Sequence, residues 1–219
     1  MSAMRYSSSG ANRPIREIAY ETLKHAIITG EIAAGIRIVE TEYANKLHIS
    51  RTPLREALRK LERDGLVEYV IRRGVVVRAF TIEDVEEIYT IRNALEMITL
   101  PAIIKNATPK DIKSMRDKLQ EMDRMMTEGN IERLSSLARA FHDQLTAISG
   151  LKRILRVIQG QDEYIHRFSA LSIAKDKRRG EAHQEHYQIV EMIENKDLEG
   201  LETVMRRHIE ASKQSCLAA

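Results

Sequence analysis

Ser50-Arg51-Thr52-Pro53-Leu54-Arg55-Glu56-Ala57-Leu58-Arg59-Lys60-Leu61-Glu62-Arg63-Asp64-Gly65 reads as one helix with both ends marked. Ser50 is a good N-cap, because its hydroxyl can accept from the free amides of the first turn. Pro53 falls in that turn, where a missing amide hydrogen costs little. Leu54, Ala57, Leu58 and Leu61 recur at three- and four-residue steps and form one apolar stripe. Gly65 suits the left-handed residue that ends a helix. Arg51, Thr52 and Arg55 gather at the N-terminal end, off the stripe. A solvated basic face would carry such residues; so would a helix that reads the DNA major groove, since guanidinium groups bond guanine edges and phosphates.

The neighbours favour the second reading. Upstream, Pro14 opens a helix whose apolar face is Ile15, Ile18, Ala19, Leu23, Ala26 and Ile27, and Gly30 closes it. A short second helix, Thr41 to Leu47, turns inward through Tyr43, Ala44 and Leu47. His48-Ile49 is the turn into Ser50. Helix, tight turn and arginine-headed helix make a helix-turn-helix pattern. Downstream, Leu66 to Ile71 and Val75 to Val77 are β-rich runs separated by Arg72-Arg73-Gly74, so a hairpin with two arginines at its tip follows. Such a wing can lie along phosphates or reach into the minor groove.

Residues 15–78 resemble the winged helix-turn-helix of the GntR family of bacterial transcription regulators. The resemblance is carried by Tyr20, Leu23, Ala26-Ile27, Gly30, Gly35, the run Ser50 to Leu58, Leu61, Gly65-Leu66-Val67 and Gly74. It implies that Arg51, Thr52 and Arg55 contact operator DNA from the recognition helix, and Arg73 and Gly74 from the wing. Two positions depart from the pattern. Ala34 replaces a proline before Gly35, and Thr41 stands where some members carry a further DNA-contacting arginine.

Charge is uneven along the 219 residues. Residues 1–80 hold 14 Lys and Arg against 9 Asp and Glu, whereas the remainder is mildly acidic, within a net charge of +3. A basic first third suits a polyanion-binding module joined to something else. Cys216 is the single cysteine, so neither a disulfide framework nor a cysteine zinc site is available, which fits a reducing cytosol. No apolar run approaches ~20 residues, so neither a spanning helix nor a membrane partner is expected. Residues 1–12, with Ser7-Ser8-Ser9-Gly10, look like a disordered tail.

The expected organisation is therefore a tail (1–12), a winged helix-turn-helix (13–78), a linker (79–80) and an all-α antiparallel bundle (81–219). Thr81 with Asp84 is a capping pair that starts the bundle. Val85, Ile88, Leu95, Ala102 and Ile103 mark its first long helix, with a kink expected at Pro101. Thr108-Pro109 starts the next, and Gly129-Asn130, Ser149-Gly150 and residues 195–197 separate the others. Residues 174–180 read as a charged, exposed loop or helix start. Glu181 to Glu194 and Asp197 to Ser212 are the last two helices. Short breaks of this kind suit antiparallel neighbours.

Three histidines fall on apolar faces of three different helices. His142 follows Phe141, one turn after Ala138. His186 is in step with His183, Val190 and Ile193. His208 is in step with Leu201, Val204 and Met205. Each has two readings: a hydrogen-bonded core residue, or one ligand of a divalent metal, zinc or a nickel-like first-row ion.

Residues 81–212 resemble the all-helical FCD effector domain of the FadR subfamily. The matching pieces are Arg92 with Glu96, Phe141-His142, Glu185-His186 with Ile189, and His208. The resemblance implies an aspartate and three histidines around a metal, yet Ala138 stands at the aspartate position. A three-histidine site is what remains, its open positions filled by water or an effector carboxylate. Arg92 is either one half of an intrahelical ion pair with Glu96 or a clamp on that carboxylate. Tyr164 and Arg167 are further candidates for lining the cavity.

Enzyme readings are poorly supported. Glu163-x-x-His166 is half of a di-iron motif whose second half is missing. No phosphate-binding glycine loop and no Gly-x-Ser-x-Gly elbow occur. His183-x-x-His186 lacks the glutamate of a zinc protease motif. The expected protein is a homodimeric, cytoplasmic regulator on palindromic operator DNA, controlled by a small organic acid, with repression as the expected sign. A metal-dependent bundle enzyme, or a metal sensor without an organic effector, is the alternative.

Overall fold

A computed structural model describes residues 13–173 and 175–218; the side chains of residues 162–163 and 165–173 lie outside that description. The expected tail at 1–12 is outside it too, as are the side chains of Glu163, His166 and Arg167. The chain divides into two compact units, one ending at Phe80 and one starting at Thr81.

In the first unit, α1 (Ile15–Ile28) packs on α3 (Arg51–Arg63), with the short α2 (Glu40–Lys46) beside it. Leu23, Leu54 and Leu61 are fully buried there. Burial of one such leucine stabilises the fold by roughly 1.5–3 kcal/mol, so the stripe read from spacing holds α3 in place. Gly65 has φ +71° and Gly30 φ +82°, as their helix-ending roles require. Ser50 occupies the N-cap with extended backbone, but its side chain makes no capping hydrogen bond. The residue is solvent-exposed, and amides at such an exposed helix start can be served by water.

The hairpin is one strand short of the full sheet. Strands β1 (Arg37–Ile38), β2 (Val67–Val70) and β3 (Gly74–Val77) form an antiparallel sheet in the order β1-β3-β2. Val67 faces Val77 and Val70 faces Gly74, while Arg37 pairs with Val76. A two-residue strand carries no period to read, so β1 leaves no mark in the sequence pattern. Ile71, expected to end the second strand, lies instead in the turn and is 82% exposed. Arg72 takes φ +67° beside it, and Gly74 takes φ +82°.

Among the described residues the second unit holds six helices: α4 (Ile82–Asn106), α5 (Pro109–Glu128), α6 (Ile131–Ile148), α7 (Lys152–Ile173), α8 (Asp176–Glu194) and α9 (Leu198–Leu217). Reciprocal capping boxes start two of them, Thr81 with Asp84 and Thr108 with Asp111. Helix α4 continues through Pro101 to Asn106. Helix α9 packs against α4, α7 and α8, and α5 against α6 and α8. Tyr89, Phe141, Leu100, Ile103, Met115 and Leu119 form the centre of this core.

Of the two readings of residues 174–180, the helix start holds for 176–180, which are the first turns of α8. The expected exposure fails at Arg178, which is only 6% exposed. The physical reason is a neutralising partner, Glu185, which lies two turns further along the same helix and lets the charge leave water.

Candidate functional site

The N-terminal end of α3 presents Arg51, Thr52 and Arg55 to solvent, with Leu54, Ala57, Leu58 and Leu61 turned inward. The two arginines share a partner that periodicity does not reveal. Arg55 Nε donates to Glu40 Oε2 at 2.7 Å, and Arg51 Nε is 3.8 Å from the same oxygen. Glu40 is the first residue of α2, so the turn between the helices brings it to the arginines. Arg73 is exposed at the wing. A side chain at Gly74 would meet Arg37 Nε only at 3.7 Å, so it is the positive φ, not crowding, that favours glycine there.

In the second unit, α6, α8 and α9 bring His142, His186 and His208 together. One ligand nitrogen from each lies within 4.8 Å of the other two. His142 Nε2 and His186 Nε2 are 3.2 Å apart. The ring centroids of His186 and His208 are 4.9 Å apart, and Phe141 packs on His186 at 4.7 Å. His186 and His208 are buried and His142 half-buried. Burial, then the charges of His208, His183, Arg178 and Arg92, push His186 well below the usual histidine range. Burial lowers His208 as well, against the pull of Glu185. Both rings are therefore neutral near pH 7, each with a lone pair to offer.

Glu185 organises the far side of His208. Its Oε2 is 2.8 Å from His208 Nδ1 and accepts from Arg178 Nη2 at 2.8 Å. Burial raises the Glu185 carboxyl, but hydrogen bonds from His208 and Arg178 outweigh it and hold the group at about 2. A carboxylate accepts only, so Nδ1 of His208 carries the hydrogen and Nε2 is the nitrogen left to bind a cation. Arg178 Nη2 also donates to the His208 carbonyl at 3.1 Å and to Ser212 Oγ at 3.2 Å.

This donor set fits a divalent first-row metal. An ion bound to imidazoles at ~2.0–2.1 Å in tetrahedral geometry holds its nitrogens roughly 3.3 Å apart, close to the His142–His186 separation. Ala138 is buried one turn before His142 on α6 and offers only a methyl group. Any negative charge in the coordination sphere must come from elsewhere.

His183, in step with His186 along the sequence, is not part of the cluster. It is buried with Nε2 2.6 Å from Asp123 Oδ1 on α5, and Tyr187 Oη donates to the other oxygen of Asp123 at 2.6 Å. Arg92 is 5% exposed and donates through Nε to Glu96 Oε1 at 2.5 Å. The intrahelical ion-pair reading of Arg92 is thus the one the geometry shows, and its charge is close enough to act electrostatically on His186 and His208. Tyr164 is half-buried on α7. Sequence reasoning missed Glu40, Asp123 and Arg178. A seven-residue spacing of opposite charges, Arg178 to Glu185, was the available signal for the last.

Comparison with known proteins matches both units. Residues 15–77 match the family model "Bacterial regulatory proteins, gntR family", and residues 87–211 match the FCD domain. The chain is 30% identical over 190 residues to the uncharacterized HTH-type transcriptional regulator YdhC of Bacillus subtilis, covering 86% of this chain and 85% of that one. It is 22% identical over 203 residues to the HTH-type transcriptional repressor RspR of Escherichia coli, covering 93% and 89%. The solved structure of E. coli McbR/YncC superposes with a TM-score of 0.67 at 20% identity, covering 93% of this chain and 99% of that one.

Proposed function

We infer the function from one premise: this chain belongs to the GntR family of bacterial regulatory proteins and carries that family's FCD domain. It is a DNA-binding transcriptional regulator and not an enzyme. Among the described residues no helix is long and apolar enough to cross a membrane.

Our reading is a FadR-type repressor whose operator affinity is set by a small organic acid bound at the three-histidine cluster over a divalent metal. The convergence of His142, His186 and His208 inside the FCD domain carries it. Arg51, Thr52 and Arg55 contact bases and phosphates from α3, and Arg73 and Gly74 contact the backbone from the wing. A homodimer sets two such modules on a palindrome. The name of RspR, a repressor similar over most of this chain, supports the sign.

The chain's own residues do the following. The three imidazoles hold the ion through neutral nitrogens. The ion, when bound, supplies a Lewis-acidic point for an effector carboxylate. Glu185 fixes the ring of His208, and Arg92, paired with Glu96, stands beside the cluster as a donor toward the effector carboxylate. Binding that favours one arrangement of the dimer changes operator affinity by the coupling energy, ~1–3 kcal/mol.

The test uses untagged, full-length protein. Elemental mass spectrometry should find close to one zinc or nickel per chain, lost in His142→Ala. Selection from random duplexes should return a palindrome, and binding to it should weaken when the cognate acid is added. Metal-free protein that still responds to an organic acid would sink the metal part of the reading. Metal-dependent binding that no acid alters would make the protein a metal sensor instead.

A further inference from the structure

A metal held by three histidines leaves the effector's chemical class open, and a proposal for that class rests on the metal being there. Arg178 is the informative residue. It is only 6% exposed, yet among the described residues just one of its three guanidinium nitrogens finds an acceptor. Nη2 serves Glu185, the His208 carbonyl and Ser212 together. Nε and Nη1 are buried and have no hydrogen-bond acceptor among the described residues. A buried charged donor left without an acceptor is costly, so an acceptor beyond those the described residues supply is called for at this point. The place is next to the cluster: Nη2 is 3.4 Å from His208 Nδ1.

Charge counting gives the same answer independently. Among the described residues the two buried arginines are neutralised one for one, Arg92 by Glu96 and Arg178 by Glu185. Three neutral imidazoles bring no charge. A divalent ion held by them adds two positive charges in a buried site, and Ala138 contributes nothing against them. Buried charge of this kind needs compensation, and a ligand with a single carboxylate supplies only half of it.

We propose that the effector is a small dicarboxylate dianion, one carboxylate directed to the histidine-held ion and the other received by the N–H groups of Arg178 Nη1. Nη1 carries two N–H groups, and a guanidinium N–H makes charge-assisted hydrogen bonds to a carboxylate. Arg178 is then a specificity-determining residue: it separates dicarboxylates from acids of the same length that end in a neutral group.

The experiment titrates metal-loaded, full-length protein by calorimetry with the dicarboxylates from malonate to adipate, and with the monoamide of each. At least one dicarboxylate should bind about tenfold or more tighter than its monoamide, the scale of a charge-assisted hydrogen-bonded contact. In Arg178→Gln that preference should shrink to about twofold or less, and Arg178→Lys should restore part of it. Metal content is measured on every sample, and folding by circular dichroism. Should Arg178→Gln not fold, the ratio measured on the unaltered protein decides alone. If metal is retained but no dicarboxylate outperforms its monoamide, or none of the series binds, the dianion proposal is overturned while the three-histidine reading stands. If no metal is retained, the three-histidine reading fails and this proposal falls with it.

Discussion

Glu185 and His208 stand 2.8 Å apart, Oε2 to Nδ1, although 23 residues separate them in the chain. The contact joins α8 to α9 and determines which nitrogen of His208 faces His142 and His186. A carboxylate behind a metal-binding histidine orients the ring and raises its basicity.

Glu185→Gln should therefore weaken metal affinity by about 10–100-fold, the usual range for a lost carboxylate behind a ligand. Competition with a chelator of known affinity measures this. Wild-type affinity in the variant would show that His208 is oriented by packing alone.

His186→Ala removes one of the three clustered imidazoles proposed to hold the ion. Metal stabilises the folded state by mass action, so the unaltered protein should melt several degrees higher with saturating zinc than with chelator. In the variant that gap should close. A gap of undiminished size would place the metal elsewhere.

Acid should destabilise the chelator-treated protein in two stages. His186 and His208 sit below their ordinary 6.5 when folded. The unfolded chain then takes up protons that the folded one resists. Stability is fully present above about pH 6.5 and falls as pH drops below it. Glu185 adds a second loss between about 4.5 and about 2, its unfolded and folded values. Urea midpoints at pH 7.5 and 5.5 test the first stage, and His186→Leu should reduce the difference between them.

At the other end of the chain, Arg55→Ala should abolish selective operator binding, with about 1–3 kcal/mol lost on the cognate duplex. Glu40 holds the same guanidinium at 2.7 Å. Glu40→Gln removes a negative charge from the reading surface, so binding to random duplex should tighten and discrimination should fall. Fluorescence anisotropy on cognate and scrambled duplexes at two salt concentrations measures both effects. Unaltered discrimination in Arg55→Ala would dismiss α3 as the reading helix.

Asp123 joins α5 to α8 through His183 and Tyr187. Asp123→Ala leaves the buried His183 ring without this partner and should cost about 1–3 kcal/mol. Metal content should be unchanged, because His183 lies outside the cluster. A parallel loss of metal would tie His183 to the site.

The sequence alone determined what depends on neighbours in the chain. The apolar stripe of α3, the glycines at 30, 65 and 74, the capping pair at Thr81 and the Thr108-Pro109 helix start are local signals, and local geometry enforces them. A helix-turn-helix with a wing, followed by six helices, was therefore legible. The two-residue strand β1 was not, because it exists only by pairing with β3. The histidines could be singled out, but three residues on three helices become neighbours only when those helices pack. That packing also sent His183 to Asp123 and His186 to the cluster, though the two are in step along the same helix. The burial of Arg178 was decided by tertiary structure as well. A charged stretch is solvated by default, and only Glu185, the His208 carbonyl and Ser212 together make an interior position tolerable for a guanidinium.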